Sequence, residues 1–123
     1  MTELINFQED GYDKFDLIRI DRRTQFGNPF KLKDAGGNYT RRESVRKYRE
    51  WFTEKVEQEP EFWEAVDNLK GETLACHCVP EACHGHVILS YIEGEPYTSA
   101  VEEYIENGGR VSDYINNKSI FNY

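Results

Sequence analysis

The sequence predicts a small α/β domain of three layers, with a short, mainly parallel sheet flanked by helices. Three observations carry that reading. Asp16–Asp21 (Asp-Leu-Ile-Arg-Ile-Asp) alternates apolar and polar residues with the period of a strand. Glu72–Cys78 (Glu-Thr-Leu-Ala-Cys-His-Cys) is a second strand-like run. Between them lie two segments of helical periodicity, and strands joined through helices pair in parallel by a right-handed crossover.

The elements follow in order. Leu4–Phe7 reads as a short strand with a turn at Gly11. Asp16–Asp21 runs into 22–30, where Gly27-Asn28-Pro29 signals a turn, because Pro cannot continue a strand interior and Gly allows unusual φ. Asp34–Tyr39, with Gly36-Gly37, reads as a loop. Thr40 then supplies a helix N-cap, and Glu43 three residues later completes a capping box.

That helix carries Val45, Tyr48, Trp51, Phe52 and Val56 on one stripe, and it must end by Glu59 because Pro60 can open a helix but not extend one. Pro60–Leu69 gives a second helix with Phe62, Trp63, Val66 and Leu69, stopped by Lys70-Gly71. After the strand at Glu72–Cys78 comes a loop, Val79–Ala82, and a helix over Cys83–Ile92 closed by Gly94 and Pro96. Thr98–Asn107 is a last helix with Gly108-Gly109 at its end, and Val111–Tyr123 a short helix or docked tail. The spacing puts Tyr48, Trp51, Trp63, Leu74, Val87 and Leu89 in the core.

Length and charge set the bounds. The 123 residues make one domain, 1–123, large enough to hold a core without disulfide staples. A net charge of −8 and a pI near 4.9 disfavour duplex nucleic acid as a partner, since the usual footprint there is a basic stripe. Two local basic clusters remain: Arg19, Arg22 and Arg23, and Arg41, Arg42, Arg46, Lys47 and Arg49. Each is either a solvated face offsetting acidic neighbours or a local anion site. No apolar run reaches the ~18 residues of a membrane span. The first ten residues lack the basic-then-apolar order of a signal peptide, so the expected location is the cytoplasm, with no membrane partner.

Chemistry concentrates in one stretch. Cys76-His77-Cys78-Val79-Pro80-Glu81-Ala82-Cys83-His84-Gly85-His86 contains every Cys and every His of the chain. A disulfide framework would spread its cysteines, so metal binding or thiol chemistry is the better class. Cys76 and Cys78 would face one side of a strand. Cys83 and His84 would open a helix, where unpaired amides and the positive dipole end favour thiolates and anions. Gly85 would let backbone or ligand come close.

Three readings stay open at this point. Cys76, Cys78, Cys83 and His84 (or His86) have the composition of a Cys₃His zinc site. Alternatively Cys83 is a reactive thiol with His84 or His86 as acid/base partner. Or the cysteines are small buried apolar residues of a core strand.

The stretch Leu74–Leu89 resembles the signature of the domain of unknown function 4326 family, a strand ending Cys-x-Cys followed by Pro and Cys-His-Gly. Ile20-Asp-Arg-Arg-Thr-Gln-Phe-Gly-Asn-Pro-Phe is similar to that family's Ile-Gly-Arg…Gly-Asn-Pro-Phe segment, and Arg42–Trp51 to its central helix. The resemblance covers roughly residues 16–93 and leaves 94–123 as a C-terminal helical extension. It carries over Arg22, Gly27, Asn28, Pro29, Cys76, Cys78, Cys83, His84 and Gly85. Asp21 stands where the family usually has Gly, His77 where it commonly has Trp, and His86 where it has an acidic residue. An imidazole at 86 would be a general base near pH 7. The resemblance implies a prokaryotic, phage or archaeal-virus origin, and for a viral protein the host cytoplasm.

Both informative loops, 22–30 and 79–86, follow strands and are expected to meet at the carboxyl edge of the sheet, where open α/β sheets place their ligands. The expected ligand is a phosphate-bearing small molecule, such as a nucleotide or nucleobase derivative. Arg22 would supply bidentate contacts, Gly27 and Asn28 amides, and Cys83–His86 an anion hole with reactive groups. Cys76, Cys78 and Gly85 would line the same site. The rival expectation is a zinc-stabilised interaction module without catalysis.

Overall fold

The computed structural model describes residues 2–6, 17–21, 24–33, 36–76, 83–108, 111 and 114. Three strands and four helices are placed among them: β1 (Glu3–Asn6), β2 (Leu17–Arg19), α1 (Arg41–Gln58), α2 (Pro60–Asp67), β3 (Thr73–Cys76), α3 (His84–Glu93) and α4 (Tyr97–Asn107). The strand order is β1-β3-β2, and both pairings are parallel. Leu74 of β3 lies opposite Leu4 on one side and Ile18 on the other. The chain is thus a small α/β domain with a short parallel sheet, as the strand–helix–helix–strand–helix order predicts.

Position in the sheet explains the composition of β3. As the middle strand it is covered on both faces: Leu74 and Cys76 point one way, Ala75 the other, and all three are buried. The main chain of β2 extends the pairing one step, with the Ile20 N–H donating to the Ala75 carbonyl at 3.1 Å.

The start of α1 follows the sequence signal. Thr40 Oγ1 accepts from the Glu43 N–H (3.2 Å) and a Glu43 carboxylate oxygen accepts from the Thr40 N–H (3.0 Å), the reciprocal capping box. Shortly before it, the Gly37 N–H donates to the Leu32 carbonyl at 2.8 Å. A Cβ at Gly37 would sit 2.1 Å from the Lys31 carbonyl oxygen, so no other residue fits there.

The core gathers Val45, Tyr48 and Phe52 of α1, Phe62 and Val66 of α2, Leu74, and Val87, Ile88 and Leu89 of α3. Aromatic rings form its centre: Phe52 meets Phe62 at 5.5 Å and Tyr91 at 4.9 Å between centroids.

Trp63 corrects an expectation. It is 44% exposed rather than buried, and Trp51 is half-buried. The inward stripe of α2 and its last turn runs Phe62, Val66, Leu69, and Trp63 is rotated about 100° from Phe62 onto the solvent side. Among the described residues no helix is long and apolar enough to cross a membrane.

The end of α4 explains one member of the second basic cluster. Arg42 donates from Nε to the Ile105 carbonyl (2.6 Å) and from Nη2 to the Glu106 carbonyl, placing a cation on the negative end of α4. Beyond it Val111 is buried, and the Tyr114 hydroxyl donates to the Gly108 carbonyl at 2.6 Å. The other residues of the predicted tail, 112–113 and 115–123, lie outside the described residues, as do the turn at Gly11 and the loop at 79–82.

Candidate functional site

The carboxyl ends of β2 and β3 lie side by side because the strands are adjacent and parallel. Ile20 and Asp21 leave the first, Cys76 ends the second, and α3 starts above them.

One bond closes this arrangement. His84 Nε2 lies 2.5 Å from the Ile20 carbonyl oxygen, and since a carbonyl can only accept, the proton sits on Nε2. The imidazole packs edge-on against the Tyr48 ring at 5.1 Å, and the Tyr48 hydroxyl donates to the Phe26 carbonyl at 2.7 Å. The segment after β2 and the start of α3 therefore meet, with Tyr48 of α1 as the shared wall.

Cys83 is the N-cap of α3. Its Sγ accepts from the Gly85 N–H at 3.3 Å, and its own N–H donates to His86 Nδ1 at 3.1 Å. Thiol and imidazole thus perform the reciprocal bonding that Ser and Glu perform in an ordinary capping box. An acidic side chain at 86 would make the same bond. Burial holds His86 neutral, its pKa pushed down to about 4, with nearby His84 adding to the effect. With Nδ1 accepting, the neutral ring carries its proton on Nε2. His86 is a capping residue here, and as a base it is weak.

The two described thiols touch. Cys76 Sγ lies 3.2 Å from Cys83 Sγ, and both are buried. Burial pushes the Tyr48 hydroxyl pKa well above its ordinary value, and a charge on Cys83 would push it further.

The remaining expected residues divide by what they touch. A Cβ on Gly85 would lie 2.7 Å from Leu4 Cδ1 and 3.0 Å from Ile20 Cδ1, so its bareness lets α3 sit down on the sheet. Asn28 binds within the protein: its Nδ2 donates to Ser44 Oγ (2.7 Å) and its Oδ1 accepts from the Phe30 N–H (2.8 Å). Ser44 Oγ in turn donates to the Phe30 carbonyl at 2.6 Å, pinning the Gly-Asn-Pro turn to α1. The Gly27 N–H donates to the Thr24 carbonyl at 3.0 Å. Arg22, His77 and Cys78 lie outside the described residues. Of the zinc set, Cys76 and Cys83 come together while His84 Nε2 is turned to Ile20. Among the described residues no three His, Cys, Asp or Glu side chains are grouped to hold a metal.

Two residues at this edge were given no role in the site by sequence reasoning. Tyr48 looks like one more core aromatic, and its hydroxyl contact spans 22 residues. Asp21 is buried and its carboxylate pairs with Arg19, accepting from Nε at 3.1 Å. Alternation along an extended chain puts residues two apart on one face, which is the signal that could have paired them.

No curated protein and no solved structure matches the chain. The model of one family, described as a domain of unknown function (DUF4326), matches residues 6–94. That span holds the last residue of β1, all of β2 and β3, α1, α2 and α3, and the residues of the candidate site. The chain belongs to the DUF4326 family.

Proposed function

We propose that the carboxyl edge of the β2–β3 pair binds a phosphate-bearing small molecule, such as a nucleotide or nucleobase derivative, with Cys83 the group best placed to act on it. The observation that supports this is the His84–Ile20 bond. It draws the segments after two adjacent parallel strands to one place, the position where open α/β sheets take their ligands. Asn28, Ser44 and Tyr48 act there as positioning residues. Arg22 follows Asp21 directly and is assigned the phosphate contact.

Thermal unfolding with nucleoside mono-, di- and triphosphates and inorganic phosphate tests the reading. A specific ligand at 100 times its Kd stabilises by about 2.7 kcal/mol. Binding of one phosphate compound, weakened at least tenfold in Arg22→Ala, is the expected result. No shift with any of them at millimolar concentration would overturn it.

The 3.2 Å approach of two thiols favours a second reading, a zinc-stabilised interaction module in which Cys76, Cys78 and Cys83 hold the ion. Stoichiometric zinc that leaves together with the fold would establish it; a metal-free, folded protein would remove it.

A further inference from the structure

We propose that Cys76 and Cys83 are a redox pair that a hydroperoxide converts reversibly into an intramolecular disulfide. The proposal is independent of any phosphate ligand, and a chain that binds none can still form this bond.

Geometry comes first. The two sulfurs are 3.2 Å apart, closer than ordinary non-bonded sulfur contact, and need to approach by about 1 Å to reach bonding distance. Neither can drift far. Cys76 is the last residue of the central strand, and Cys83 is held at both its N–H and its Sγ by the first turn of α3.

The surroundings assign different roles to the two thiols. Both are buried, which by itself disfavours reactivity. Cys83, however, sits at a helix N-terminus with the Gly85 N–H on its sulfur and a second donor available in the Cys76 S–H. With the Gly85 N–H on its sulfur at the start of α3, Cys83 is assigned the attacking role and Cys76, on the strand, the resolving one.

The chemistry balances. The Cys83 sulfur gives up its proton and attacks one oxygen of hydrogen peroxide, an S–O bond forms, the O–O bond breaks, and the departing hydroxide takes up the proton that Cys83 lost to become water (an organic hydroperoxide would release an alcohol in the same way). The Cys76 sulfur then attacks the Cys83 sulfenic sulfur, losing its proton. The S–S bond forms, the S–O bond breaks, and the departing hydroxide takes up that proton as a second water. Two thiols are oxidised by two electrons, and the hydroperoxide is reduced by two. A dithiol reductant reverses the result by exchange.

The change would be felt at the helix start. A disulfide sulfur accepts a hydrogen bond less well than a thiolate, so oxidation weakens the cap on Gly85 while fastening α3 to β3.

The test uses the full chain treated with hydrogen peroxide at a small molar excess, quenched, alkylated under denaturing conditions and mapped by mass spectrometry. The expected product has one alkylatable thiol instead of three, a mass lower by two hydrogens, and a Cys76–Cys83 crosslink lost on adding dithiothreitol. Cys78→Ser should still form the crosslink. Cys76→Ser should instead stop at a sulfenic acid on Cys83 that a dione probe traps. If a variant fails to fold, the map of the unsubstituted chain decides. Retention of all three thiols, a crosslink that includes Cys78, or only intermolecular disulfides would each overturn the proposal.

Discussion

The hydroxyl of Tyr48, in the middle of α1, donates at 2.7 Å to the main-chain carbonyl of Phe26, and both residues are buried. A helix side chain thereby closes a bond that the loop after β2 cannot make for itself. Tyr48→Phe keeps the ring against His84 but leaves that carbonyl without its partner. The expected cost is about 1–3 kcal/mol, read as a lower urea midpoint. A midpoint within error of the parent would mean the loop is held by its other bonds.

Gly85→Ala should destabilise although Ala is the better helix former by about 1 kcal/mol. The added methyl would meet Leu4 and Ile20 inside van der Waals distance, and overpacking of this kind costs about 1–3 kcal/mol. Combining it with Leu4→Ala removes the closest contact, so the double variant should be more stable than the sum of the two single losses indicates. Strict additivity in that cycle would argue against the contact.

Stability should fall with acid through His86. Its folded-state pKa of about 4 lies below the 6.5 of a free imidazole, so the unfolded chain binds a proton that the folded chain refuses. The contribution is complete above pH 6.5 and is lost as pH falls toward 4, about 3 kcal/mol across the window. His86→Gln keeps a side chain that can accept from the Cys83 N–H and removes the titration. The difference in unfolding free energy between the two proteins should therefore change between pH 7 and pH 4, with Gln gaining ground. Parallel pH profiles would show that His86 takes up its proton in the folded state.

Phe62 and Trp63 are neighbours with opposite expected sensitivities. Phe62→Ala empties a site shared with Phe52, Phe26 and Trp51 and should cost about 3–5 kcal/mol. Trp63→Ala, on the solvent side, should change the unfolding free energy by no more than about 0.5 kcal/mol. Equal losses would place Trp63 against something that protects it.

These contrasts show which features a one-dimensional reading can reach. The capping box at Thr40 and Glu43, the stop before Pro60 and the strand through Leu74 follow from residues within one turn or one strand of each other, where local chemistry decides. The concentration of thiols and imidazoles at 76–86 was also visible, and it is what marks the candidate site. What each imidazole does was not. His84 is committed by a carbonyl 64 positions away, and His86 by a rotamer that makes it a cap. Cys83 escaped notice as an N-cap because Ser, Thr, Asp and Asn are the usual occupants. Trp63 was misplaced because i+3 spacing from Trp63 to Val66 fits an apolar stripe as well as i+4 from Phe62 does, and only the packed partner distinguishes them.

The strand order has a consequence for how the chain assembles. β1 and β2 both pair with β3 and not with each other, so neither has a hydrogen-bonding partner until the segment at Thr73–Cys76 arrives. Closing β1 onto β3 joins positions seventy residues apart (Glu3 with Thr73), a contact of high sequence separation that must be reached against loop entropy. On the ribosome the helical hairpin α1–α2 can form first, while two short apolar strands wait unpaired. Fragments that end before residue 73 then hold strand edges with nothing to complete them, and truncation there should yield aggregation rather than a smaller domain.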